Sequence, residues 1–154
     1  MHTPAPWGEK RVCTPECNSS GKTTYPAACG GVVDSSLKHK QAVDLLTDRI
    51  VNGDAFVSVQ VLNEFTVNAV KKGKKLSEVE DIVARLLKSF TVFPLTGELT
   101  MDAFRISNRY QFSFWDSLIV ASALEAQCSV LYTEDLQNGQ IIEGVLEIKN
   151  PFIG

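Results

Sequence analysis

An α/β sandwich around a mainly parallel sheet is the fold this sequence predicts. Three observations carry that expectation. From residue 34 onward, short β-branched and aromatic runs alternate with longer segments whose apolar residues recur every three or four positions. Turn or capping residues bound those segments. The length of 154 residues suits one domain with a single core.

The elements follow in order. Within 36–51, Leu37, Ala42, Val43, Leu45, Leu46 and Ile50 mark one helical face, which Asn52-Gly53 ends. "AFVSV" (55–59) reads as a strand. Val61, Leu62, Phe65, Ala69 and Val70 give a helix running into "KKGKK". Ser77 with Glu80 forms a capping box ahead of Val79, Ile82, Val83, Leu86 and Leu87. "FTVFPL" (90–95) is a second strand, and Leu99, Ala103, Phe104 and Ile106 place a helix over 97–109. "SFWDSLIVASALEAQC" (113–128) is a further helix, whose small residues let it pack closely on a sheet. "SVLYT" (129–133) is a buried strand, and "VLEIKN" (145–150) is the last.

Composition narrows the class. With 44% apolar and 21% charged residues, the chain reads as an ordinary globular protein. No apolar run reaches the roughly 18 residues that a membrane span needs. The N-terminal text "MHTPAPWGEKRV" has no apolar signal core, so a cytoplasmic location is expected. A net charge of −3 argues against a generally basic nucleic-acid coat and leaves room for a local patch. A disulfide scaffold is not expected of Cys13, Cys17, Cys29 and Cys128 in such a chain. Zinc is disfavoured as well. The first three cysteines lack a second close pair, and a fourth ligand would have to come from afar, as from His39.

The chain divides near residue 33. Residues 1–33 are rich in Pro, Gly, Thr, Ser and Cys and show no apolar period, so a loop or disordered segment is expected there. Residues 34–154 form the globular domain. "SSGKTT" (19–24) is no phosphate loop, because Glu16 stands at the first glycine position and no strand precedes it.

Three acids stand where a parallel sheet places its sites, at or beyond the carboxyl ends of strands. Glu64 lies in the helix directly after the first strand of the domain, Asp116 at the start of the small-residue helix, and Asp135 just after "SVLYT". Each has a plain alternative: a solvated helix position, a helix-starting acid paired with Ser113, and a turn acid. Together they are more informative. Converging carboxylates repel one another unless a cation lies between them. Hard oxygen donors of this kind suit Mg²⁺ or Mn²⁺, and such an ion supports phosphodiester hydrolysis. A Ser/His/Asp triad is disfavoured, since His39 sits between Lys38 and Lys40 on an expected solvated turn.

"VLNEF", "RYQFSFWDSLIVASALEAQC", "LYTEDLQNGQ" and "IKNPF" together resemble the PIN-domain nucleases, and most nearly the VapC-type toxins of bacterial toxin–antitoxin pairs. The resemblance spans roughly 34–154. It implies a three-layer α/β fold and an endoribonuclease holding Mg²⁺ or Mn²⁺. Glu64, Asp116 and Asp135 would be its metal-site acids, with Thr133 as a polar neighbour. It also implies an RNA substrate, a small antitoxin partner and a homodimer, with no membrane. Lys71, Lys72, Lys74 and Lys75 are candidate phosphate contacts, helped by Arg105 and Arg109; a solvated loop is the plainer reading of that run.

One family feature is missing. PIN domains begin with an apolar strand ending in an Asp-Thr-Asn-like motif, whose Asp is a central ligand. Counting back from Asp34, it would fall near Tyr25, where the text "KTTYPAACGGVVD" has no acid before Asp34 and carries Pro26. A frame-shifted reading of residues 1–33, or loss of the first strand from a degenerate domain, would account for it. A non-catalytic remnant that binds antitoxin or RNA is therefore the alternative function.

Overall fold

The computed structural model describes residues 11–13, 40, 44–45, 47–48, 50–51 and 55–153. Six strands form one sheet in the order β3-β2-β1-β4-β6-β5. They are β1 (Arg11–Cys13), β2 (Ala55–Ser58), β3 (Thr91–Phe93), β4 (Cys128–Tyr132), β5 (Ile141–Ile142) and β6 (Leu146–Lys149). Every pairing is parallel except β5 with β6. Four helices have both ends within the described residues: α1 (Val59–Lys71), α2 (Leu76–Ser89), α3 (Gly97–Tyr110) and α4 (Phe114–Glu125). The expected α/β class with a mainly parallel sheet is what the chain forms.

Two strands depart from the sequence reading. Arg11–Cys13, inside the segment expected to be loop, is the strand between β2 and β4. Val12 pairs with Ala55 on one side and Val130 on the other. A first strand therefore exists, some distance before the Tyr25 region where it was sought; Tyr25 itself lies outside the described residues. Three residues are too few to show an apolar period, which is why composition concealed it. The two-residue β5 escaped for the same reason. Of the helix expected over 36–51, the described residues Lys40, Asp44, Leu45, Thr47, Asp48, Ile50 and Val51 are helical.

Local chemistry explains the helix boundaries. Ser58 ends β2 and caps α1 at once, its hydroxyl accepting from the Val61 amide at 3.3 Å. No loop separates strand from helix, so α1 begins at the sheet's carboxyl edge. The capping box before α2 is displaced two residues from the expected Ser77–Glu80 pair. Lys75 is the cap, and its backbone N–H donates to the Glu78 carboxylate at 3.0 Å. The cause is the tight α1–α2 turn, where Gly73 takes a φ of +92° that favours glycine and the Lys74 amide reaches back to the Ala69 carbonyl at 3.1 Å.

The helix α4 is apolar all round because it is covered on two sides. Ile119, Val120, Ala123 and Ala126 join the main core with Val57, Phe65, Leu131 and Ile148. Leu118 and Ala121 pack against Leu99 and Ala103 of α3. Ser117 and Ser122 are buried, and their hydroxyls donate back to the carbonyls of Ser113 and Leu118 at 2.7 and 2.8 Å. Cys128, which begins β4, is disulfide-bonded, contrary to the expectation for the cysteines. Among the described residues, no helix is long and apolar enough to cross a membrane.

Candidate functional site

The sheet's carboxyl edge collects the three expected acids. Glu64 stands in the second turn of α1, half-buried. Gln60, itself buried, donates from Nε2 to Glu64 Oε1 at 2.8 Å. Asp116 stands in the first turn of α4, whose cap is Ser113. The Ser113 hydroxyl accepts from the Asp116 amide at 3.1 Å and donates to Asp116 Oδ2 at 2.6 Å. The helix-starting reading of Asp116 therefore holds, and the same hydroxyl fixes the carboxylate. Asp135 is exposed, two residues beyond the buried Thr133. Thr133 Oγ1 accepts from the Asp135 amide at 3.1 Å, which shapes the turn after β4.

The electrostatics tie the three together. Burial pushes the Glu64 carboxyl above its ordinary value, the Gln60 hydrogen bond works against that, and the charges of Asp116 and Asp135 push it further up. Three acids from α1, α4 and the β4 turn thus share one field. They do not close into a ring. Among the described residues, no three His, Cys, Asp or Glu side chains sit close enough to hold one metal ion. The two observations agree, because charges act over about 4–6 Å and beyond, whereas ligating oxygens must lie about 2.0–2.6 Å from a shared ion. All three acids offer hard oxygens, and mutual repulsion of the kind that raises Glu64 is what a divalent cation relieves. Such donors suit a divalent cation in general.

The basic residues lie elsewhere. Lys71 ends α1, two turns beyond Glu64 or about 10 Å along the axis. Lys72, Lys74 and Lys75 continue into the α1–α2 turn. Arg105 and Arg109 are engaged by an acid that the sequence reading passed over. Glu143 Oε1 is 3.3 Å from Arg105 and 3.1 Å from Arg109. The Tyr110 hydroxyl accepts from the Glu143 amide at 2.9 Å and donates to its carboxylate at 3.3 Å. Those arginines tie the β5–β6 turn to α3. Glu143 carried no usable signal, since its partners are more than thirty residues away.

The three acids lie toward the carboxyl edge of a parallel sheet, where α/β folds place their sites. The chain belongs to the PIN-domain family, whose model matches residues 30–139. PIN domains are in general metal-dependent nucleases, acting on RNA or other nucleic acid. The match includes Glu64, Asp116 and Asp135 and leaves out β1. No curated protein matches the chain.

Proposed function

We propose that this PIN domain is a metal-dependent endoribonuclease, the VapC-type toxin of a toxin–antitoxin pair, with Glu64, Asp116 and Asp135 holding Mg²⁺ or Mn²⁺. The observation that supports it most is the setting of Glu64, a half-buried carboxyl raised by burial and by the charges of both other acids. Gln60 orients Glu64, Ser113 orients Asp116, and Thr133 fixes the turn that carries Asp135. These three acids would hold the divalent ion, which would supply charge stabilisation for the phosphate and activation of water. Lys71, Lys72, Lys74 and Lys75 serve as outlying phosphate contacts. By family resemblance the toxin is cytoplasmic, dimeric and masked by a small antitoxin.

A second reading rests on β1. The family's central ligand belongs at the end of the first strand, and Arg11–Cys13 carries no acid. On that reading the domain folds and binds antitoxin or RNA without cutting. RNA cleavage by the purified chain in Mn²⁺, beside EDTA and Asp116→Asn controls, separates the two. Cleavage abolished by both controls is the expected result. A folded chain with no cleavage above Asp116→Asn leaves the remnant.

A further inference from the structure

The turn that carries Asp135 is bonded to the C-terminal segment of the chain. β4 ends at Tyr132, and the chain returns as β5 from Ile141. β6 lies between those two strands, parallel to β4 and antiparallel to β5. Residues 133–140 must therefore pass over the carboxyl end of β6. On the β4 side the Thr133 amide donates to the Lys149 carbonyl at 3.0 Å. On the β5 side the Gly139 amide donates to the Ile148 carbonyl at 2.8 Å, and the Gln140 carbonyl accepts from the Ile148 amide at 2.9 Å.

These three bonds join main chain to main chain, so many sequences could form them. A fourth depends on a side chain. The amide of Asn150, the first residue beyond β6, donates to Asn138 Oδ1 at 2.8 Å. Asn150 is itself fixed, because Pro151 follows it and its own Oδ1 accepts from the Phe152 amide at 2.9 Å. Asparagine before glycine is a common turn pair, and Gly139 takes a φ of +81° here. A plain turn asparagine bonds its own backbone two residues on. Asn138 instead engages an amide twelve residues away, at the end of another strand. Asp135 lies between the ends tied at Thr133 and Asn138, and its charge acts on Glu64. Loss of the Asn138 oxygen would lengthen the untied part of that turn.

We propose that Asn138 is a positioning residue for the ion site. Its side-chain oxygen, held by the Asn150 amide, sets the turn from which Asp135 acts on a divalent cation, so that the segment 148–152 governs how tightly the cation is held. This rests on the reading above that Asp135 is one of the site's acids, and adds what holds it in place.

Mn²⁺ alone is the probe, titrated into the full chain after EDTA treatment and desalting, with free Mn²⁺ read by electron paramagnetic resonance. Asn138→Ala should weaken Mn²⁺ binding about tenfold. Asn138→Asp keeps an oxygen at the same place and should bind no more weakly than the parent. A double-mutant cycle with Asp135→Asn decides the route. In that background Asn138→Ala should cost nothing further, since it acts through Asp135. Equal losses in both backgrounds would mean a general loosening of the fold and would overturn the proposal. Asn138→Asp as weak as Asn138→Ala would overturn it too, because the oxygen would then not matter. RNA cleavage in Mn²⁺ is read in parallel. A parent that binds Mn²⁺ and cleaves, with Asn138→Ala matching it in affinity, would sink the proposal and keep the nuclease. A parent that binds no Mn²⁺ would sink the ion-site reading and the proposal with it.

Discussion

Glu64 is the residue where structure and function pull hardest against each other. Its carboxyl is raised by burial first, then by Asp116 and Asp135. In the unfolded chain it titrates near its ordinary value of about 4.3. Between that pH and its raised value, the folded protein keeps a proton that the unfolded chain has released. Stability must therefore fall as pH rises through this window, and the deficit stays at neutral pH. Below about pH 4 both states are protonated and the effect vanishes. Glu64→Gln keeps the shape and the reach to Gln60 while removing the charge. Melts in EDTA from pH 4 to 8 should show the variant gaining on the parent as pH rises, with no difference at the acid end. A gap that does not change with pH would mean that the three acids do not share one field. The sequence named these acids because Glu64 and Asp135 follow strand ends and Asp116 opens the small-residue helix, but it could not show that Gln60 and Ser113 hold two of them. Those bonds depend on rotamers, and only Ser113, as a cap three residues ahead of Asp116, had a local signature.

At the scale of elements, α4 is the part that places Asp116. Its N-terminus lies at the carboxyl edge because the helix runs back along the sheet and turns into β4 through Ala126 and Gln127, the latter at a φ of 57°. Small residues make the seat shallow. Ala121 faces α3 at 3% exposure and has no room to grow. Ala121→Leu should force α3 and α4 apart and cost about 1–3 kcal/mol. A fall in urea midpoint with the m-value unchanged would show it, together with loss of activity as Asp116 is displaced. A neutral variant would mean that the α3–α4 contact is loose and does not set the site. The sequence revealed this helix well, since its apolar and small residues run unbroken behind a clear cap. It failed at elements shorter than one period. β1 and β5 have three and two residues and are specified by their neighbours on the sheet, not by their own pattern. The start of α2 was misplaced for a related reason. The expected Ser77–Glu80 box gives way to Lys75 with Glu78, because the Gly73 turn sets where the helix starts.

For the whole molecule, the open question is whether a domain with no acid on its central strand still holds an ion. Three carboxylates that repel one another lower the stability of the metal-free fold, so the fold itself reports binding. An ion that binds only the native state stabilises it by about 2.7 kcal/mol when its concentration is a hundred times its Kd. For a domain of this size that raises Tm by roughly 5–10 °C. Mn²⁺ added to the EDTA-treated parent should produce such a rise, and Asp116→Asn should lose most of it, because one donor and its charge are gone. This measurement needs no substrate, so it separates two failures that an activity assay confuses. A rise without cleavage leaves an intact ion site short of the ligand that β1 does not supply. No rise with any divalent ion would mean that Glu64, Asp116 and Asp135 stand too far apart to act together, as their open arrangement in the metal-free fold allows. The nuclease reading would then give way to the binding remnant, and Ser113 and Gln60 would be holding acids whose remaining work is to start one helix and decorate another.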